Sequence, residues 1–167
     1  LSLIVEDGTA RSDSESFISL ADATTRHGNT GNAAWAAVAT DALREQALRR
    51  ATQYMEQAYR ARWLGMRVSA DQALSWPRAV LEPIDDWWIE SNVVPPEVAN
   101  ACADLALKAL AGELNADLTR GVVRKKIGPL ETEFDPYSPQ SVRYRAIDMA
   151  LAPYLKGSSA MATLVRA

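Results

Sequence analysis

The sequence predicts a mainly α-helical fold: a small bundle of about four helices, one β-hairpin and an extended C-terminal tail. Two observations predict the helices. Apolar residues recur at helical spacing over 41–60 and again over 96–115, and each run opens on a start signal, Thr40-Asp41 and Pro95-Pro96-Glu97. A third predicts the hairpin, because the β-branched stretch 122–134 breaks that period around Gly128-Pro129.

In chain order, residues 1–7 alternate imperfectly and suit a short edge strand, and 8–15 are small and polar, a loop. A first helix begins near Ser16. Ser19 followed by Asp22 is a capping-box pattern, and His27-Gly-Asn-Thr-Gly-Asn32 supplies the stop. Residues 33–39 give one helical turn carrying Trp35. The 41–60 helix then turns Leu43, Ala47, Ala51, Tyr54, Met55 and Ala58 inward, with Arg44, Glu45, Arg49, Arg50, Gln53 and Glu56 on the other faces. Gly65 breaks the chain, Ser69-Ala-Asp-Gln72 starts a short turn, and Pro77 ends it. A connector with Pro83 and Trp87-Trp88 leads to the 96–115 helix, whose inward positions are Val98, Cys102, Leu105, Ala109 and Leu114. Gly112 inside it would permit a close helix contact. The hairpin follows at about 122–134, with a basic arm (Arg124, Lys125, Lys126) and an acidic one (Glu131, Glu133, Asp135). A last helix over 141–155 faces Val142, Ala146, Ile147, Ala150, Leu151 and Tyr154 inward. Residues 1–156 thus read as the helical domain and 157–167 as a docking tail.

Composition narrows the function classes. Apolar residues make up 48% of the chain, enough for a core, but many are alanine, so helix pairing should be close and thin. The net charge is −3, unlike the basic footprint of a dedicated nucleic-acid binder. Cations are mostly arginine, 14 Arg against 4 Lys, which suits fixed, partly buried pairing at interfaces. Cys102 is the single cysteine, read as a small buried residue on a helix, so no intrachain disulfide or thiolate cluster can form. No run reaches the length of a membrane span, and no charged-then-apolar leader is present. The expectation is a soluble protein of a reducing cytoplasm with no membrane partner.

Catalytic chemistry finds no support in the residues. The single histidine, His27, lies in a Gly/Asn-rich helix terminus and reads as a cap or surface residue. No serine or cysteine has a histidine base in a recognisable motif, and the glycines are scattered rather than gathered in a phosphate loop. Asp85, Asp86 and Glu90 read as a solvated acidic face. The expectation is a non-enzyme without metal or cofactor. Trp63, Trp76, Trp87 and Trp88, interleaved with Arg60, Arg62, Arg67 and Arg78, could form a stacking platform for single-stranded nucleic acid. The competing reading makes these aromatics core and interface anchors. In that reading Trp63, Trp76, Pro77 and Arg78 form a packed structural corner.

Trp35 before the Thr40-capped helix, Ala47-Leu-Arg-Arg-Ala-Thr-Gln-Tyr54, Trp63, Val68-Ser-Ala-Asp-Gln-Ala-Leu-Ser-Trp-Pro-Arg78 and Val94-Pro-Pro-Glu-Val98 occur in that order. This series resembles a family of tailed-bacteriophage and prophage proteins labelled DnaT-like single-stranded-DNA-binding, over about residues 3–155. The label implies a replication accessory role. The helix–helix–hairpin–helix layout also looks like the head–tail connector (adaptor) proteins of long-tailed phages. That likeness implies a virion protein assembled as a ring, usually twelve-fold, at the head–tail junction. It would sit between the portal and the next tail or neck component after assembly in the host cytoplasm, and double-stranded DNA would pass through its lumen without specific binding. The expectation drawn is the connector, with single-strand binding as the alternative. At −3 per chain, twelve subunits would carry 12 × −3 = −36, a lumen that repels DNA. Ring contacts are expected from Arg124, Lys125, Lys126, Glu131 and Glu133 of the hairpin and from Met161, Leu164 and Val165 of the tail.

Overall fold

The computed structural model describes residues 2–80, 82–116, 122–126, 131–134 and 142–157, the two hairpin strands by backbone alone. Helix α1 spans Leu20–Asn29, α2 Ala33–Ala36, α3 Asp41–Tyr59, α4 Pro96–Ala111 and α5 Arg145–Leu151, continued by a 3-10 turn at Ala152–Tyr154. Two antiparallel pairs accompany them: β1 (Met66–Arg67) with β2 (Arg78–Ala79), and β3 (Val122–Lys126) with β4 (Glu131–Phe134). The expected class, mainly helical with one hairpin, is the class observed.

Local chemistry sets the helix starts. Ser19 Oγ accepts from the Asp22 backbone N–H at 3.0 Å and donates to the Asp22 carboxylate at 2.6 Å, the expected capping box. Thr40 Oγ1 accepts from the Leu43 N–H at 3.3 Å and caps α3. Pro96 occupies the first turn of α4, where a missing N–H costs nothing.

The centre of the fold is the pairing of α3 with α4. Ala47, Leu48, Ala51, Thr52 and Met55 of α3 are buried against Val98, Ala101, Cys102, Leu105 and Ala109 of α4. Small residues on both faces let the helices approach closely, as the alanine content implied. Cys102 is fully buried, its Sγ 3.2 Å from Thr52 Oγ1. Two ion pairs fasten further elements to this centre. Arg26 on α1 forks onto Asp104 of α4 at 2.9 and 2.7 Å, and Arg49 of α3 reaches Glu15 at 2.9 Å.

Several expectations are corrected. Residues 2–7, the described part of the expected edge strand, make only a single bridge, from Val5 to Ser16, and the buried Glu6 carboxylate folds the loop around itself. It accepts from the N–H groups of Gly8, Ala10 and Arg11 at 3.0, 3.0 and 3.1 Å and from the Ser14 hydroxyl at 3.0 Å. The 27–32 segment does end α1, but His27 in its last turn is not a surface residue. It lies inside α1, 1% exposed, with Nε2 3.0 Å from the Ala103 carbonyl and its ring 4.5 Å from that of Trp35. Leu43 and Ala58 face solvent, while Leu48, Thr52 and Tyr59 take the buried stripe of α3. Helix α4 stops at Ala111. Gly112 lies past its end with open space where a Cβ would be, so it serves no helix contact. The last helix begins at Arg145 rather than 141, and Ala146 and Ala150 point outward while Ile147, Leu151 and Tyr154 are buried.

The 63–79 segment closes one end of the core. A row of rings, Tyr59, Trp63, Trp76 and Tyr154, runs through it with successive centroids 5.8, 5.7 and 6.0 Å apart. Tilted and edge-on arrangements of this kind add about 0.5–1.5 kcal/mol per pair beyond area burial. Gly65 is obligatory in this corner. Its φ is +69°, and a Cβ there would lie 2.2 Å from the Ala79 carbonyl oxygen.

Candidate nucleic-acid groove

The structure divides the expected tryptophan–arginine platform. Trp63 and Trp76 are fully buried, and Pro77 follows Trp76 through a cis peptide bond. Arg78 is also buried. Its Nε and Nη2 donate to the carbonyls of Leu64 and Gly65 at 2.7 Å each, and Nη1 donates to that of Ser75 at 3.2 Å. Trp63, Trp76, Pro77 and Arg78 therefore meet in one packed corner, out of reach of any base. Burial, aided by the nearby Arg67 charge and offset in part by Glu56, holds the Arg78 pKa below the usual guanidinium value. Arg60 and Arg62 are exposed, but no tryptophan stands beside them at the surface. Trp87 and Trp88 are 79% and 68% exposed and sit among acids, Glu82, Asp85, Asp86 and Glu90, where a phosphate would be repelled.

Tyrosines instead of tryptophans meet the exposed cations. On one flank of α3, a groove of about 550 Å³ is lined by Tyr54, Tyr59, Arg62, Arg143 and Asp148. A second hollow of about 480 Å³, lined by Arg50, Gln53, Tyr54, Gln57 and Glu113, has Tyr54 in common with it. The helical period produces this line: Arg50, Tyr54 and Gln57 recur at i, i+4 and i+7, one position off the buried stripe.

Aromatic packing and ion placement fix the groove. Tyr54 is edge-on to Tyr144 at 5.5 Å and to Tyr59 at 6.4 Å. The Lys108 ammonium stands 5.5 Å from the Tyr144 ring centre and the Arg62 guanidinium 5.9 Å from that of Tyr59. Tyr144 Oη donates to the Leu114 carbonyl at 3.1 Å, and Tyr59 Oη donates to Asp148 at 2.7 Å. Burial raises the Tyr54 pKa above the ordinary phenol value, so the ring is neutral at physiological pH. The Tyr59 hydroxyl, buried and bonded to Asp148, is raised further. The two hollows thus offer a half-buried neutral ring beside cations on Arg50, Arg62 and Arg143, with the Glu113 and Asp148 carboxylates also on their walls. That combination suits a planar base on the ring and phosphates on the guanidinium groups.

The remaining predicted residues lie elsewhere. In the hairpin, Arg124 pairs in register with Glu133, Lys125 with Thr132 and Lys126 with Glu131, so the basic and acidic arms do oppose each other along the backbone. Its Gly128-Pro129 turn falls outside the described residues, as do Asp135 and the tail residues Met161, Leu164 and Val165. Among the described residues, no three His, Cys, Asp or Glu side chains converge as a metal site would require. None of the described helices is long and apolar enough to cross a membrane.

Sequence reasoning placed Tyr54 in the core and left Tyr144 out altogether. A signal for Tyr54 was present in its polar neighbours along the helix, Arg50 and Gln57. Its partner Tyr144 comes from 90 residues away and only folding reveals the pair.

The family described as "Putative DnaT-like ssDNA binding protein" matches the chain over residues 1–167. No curated protein and no solved structure matches it. Nothing in these comparisons bears on a head–tail connector.

Proposed function

The chain belongs to the DnaT-like ssDNA-binding family, and from that premise we propose that it binds single-stranded DNA along the α3 groove. The observation that carries the proposal is Tyr54, half-buried and lining two hollows, one with Arg50 and the other with Arg62 and Arg143. A duplex keeps its bases stacked and would present only phosphates here, whereas a single strand can lay a base on Tyr54. The rest of the surface is acidic on balance, with a chain charge of −3, which confines binding to this stripe and keeps it weak and salt-sensitive. The chain acts as a non-catalytic accessory that holds a short stretch of strand without reading its sequence.

Fluorescence anisotropy with oligo(dT) tests the proposal. Tyr54→Leu keeps apolar volume at the core edge but removes the stacking ring. It should weaken binding by about 1–3 kcal/mol, roughly 5- to 150-fold. Arg62→Glu should weaken it as well without loss of fold, because Arg62 is exposed. Unchanged affinity in both variants would place the strand elsewhere.

A second reading, the head–tail connector, draws on a different observation. The exposed Trp87-Trp88 pair and the acidic net charge suit a subunit held by protein contacts around a DNA channel. In this reading the chain forms a ring, twelve-fold as proposed, between portal and neck. The 1–156 domain builds the ring and the 157–167 tail docks onto a neighbour. Electron microscopy of virions separates the two readings: density for this chain below the portal favours the connector, and its absence from particles favours the strand-binding accessory.

A further inference from the structure

Residues 84–87 form a two-residue turn closed by both backbone hydrogen bonds, Ile84 N–H to the Trp87 carbonyl at 2.8 Å and Trp87 N–H to the Ile84 carbonyl at 3.0 Å. Asp85 and Asp86 carry it at φ of 51° and 66°, the left-handed pair that a tight hairpin turn demands. Two indoles are thereby held out in water on a turn of defined shape, and their 79% and 68% exposure gives the isolated fold almost none of the stabilisation their area could supply. Adjacent exposed tryptophans on a fixed turn are the composition of a contact hot spot.

The charge around the turn identifies what fits it. Glu82, Asp85, Asp86 and Glu90 have no cation within 4.0 Å among the described residues, so the surface calls for an arginine-bearing, aromatic counterpart. The same chain carries one. The Tyr54 groove has Arg62 and Arg143 on its wall and Arg60 and Arg145 exposed in the neighbouring sequence, and none of these four has a carboxylate within 4.0 Å among the described residues. The Asp148 carboxylate in the groove is already engaged by the Tyr59 hydroxyl at 2.7 Å. The turn and the groove share no residue, and Asp85 acts electrostatically on Tyr154, the last ring of the row that starts at Tyr59.

We propose that the Trp87–Trp88 turn of one copy seats in the Tyr54 groove of a second copy, and so competes with single-stranded DNA for that groove. An indole takes the place of a base against Tyr54, and the turn's carboxylates take the place of phosphates opposite Arg62 and Arg143. Turn and groove are different surfaces, so the contact is head-to-tail and propagates into chains or closed rings. The competition rests on the strand-binding reading of the groove; the self-association does not.

Sedimentation velocity of the full chain over a concentration series at low salt, with oligo(dT) titrations in parallel, tests both halves. The expected result is a wild-type mass that rises with concentration. Trp87→Ala/Trp88→Ala should stay monomeric with an unchanged melting temperature, and Arg62→Glu/Arg143→Glu should lose association equally. Asp85→Asn/Asp86→Asn, which keeps the turn geometry, should weaken it. The double tryptophan variant should bind oligo(dT) severalfold more tightly than wild type at concentrations where wild type associates. A wild type that stays monomeric throughout, or association indifferent to the tryptophans, overturns the contact. Tryptophan-dependent association without any oligo(dT) binding leaves the contact standing and removes the strand-binding reading. Oligo(dT) binding without tryptophan-dependent association does the reverse.

Discussion

Arg78 carries a charge into the core and satisfies it with three main-chain carbonyls in place of a carboxylate. A lysine presents a compact charge where this site needs a planar fork, so the conservative exchange is not conservative here. Arg78→Ala leaves the Leu64, Gly65 and Ser75 carbonyls without that donor and should cost about 3 kcal/mol in denaturant unfolding, at ~1–3 kcal/mol for each buried group orphaned. A loss under about 1 kcal/mol would mean that water replaces the guanidinium. His27 makes the opposite electrostatic statement. Burial lowers its pKa from the ordinary 6.5, with Nε2–H donating to Ala103 and Nδ1 accepting from Asn32. The native state therefore keeps the ring neutral while the unfolded chain takes up a proton below about pH 6.5. The stability this neutral ring contributes is present above pH 6.5 and is lost as the pH falls towards the lowered native value. The stability gap between wild type and His27→Gln should thus narrow between roughly pH 7.5 and 5. A gap that widens on acidification would show that the buried ring is charged. The sequence placed Arg78 in a packed corner but showed neither its carbonyl partners nor the burial of His27. Arg78 and His27 are defined by carbonyls that belong to other elements.

Elements show where sequence reading succeeds. The starts of α3 and α4 depend on Thr40 and Pro96, whose chemistry acts within three or four residues, and were legible; for α1 the Ser19–Asp22 cap was legible, but the helix begins at Leu20 rather than near Ser16. The inward face of α3 was only partly so. Counting Leu43 and Ala58 as core put the stripe slightly off, because alanine marks a buried face and an exposed helical position equally well. The β1–β2 pair escaped notice, since two residues per strand make no period. Its requirement survives in one place, Gly65, where the left-handed backbone passes against Ala79. Gly65→Ala should destabilise the fold by more than about 2 kcal/mol, the conformational cost alone being ~1–2. Gly112→Ala, beyond the end of α4 and facing open space at extended φ, should be near neutral. Similar melting temperatures for the two variants would contradict the corner as described.

At the scale of the whole molecule, an acidic chain carries among its described residues an arginine- and tyrosine-bearing flank and an acidic tryptophan turn. The sequence offered two readings of the aromatic-rich segment, a packed corner of Trp63 and Trp76 or an exposed platform with Trp87 and Trp88. Trp63 and Trp76 are buried, Trp87 and Trp88 are exposed, and Tyr54, packed edge-on to Tyr144, lines the groove. In the proposed strand-binding role, the charge of the flank, not of the chain, sets the affinity. The measurement that tests this most directly is the salt dependence of oligo(dT) binding by wild type and Tyr54→Leu. The account predicts binding at low salt that Tyr54→Leu largely removes. It also predicts that log K falls with log salt at a slope of about −2, for roughly three phosphates neutralised at ~0.7 each. No binding at low salt, or binding indifferent to Tyr54, would contradict it.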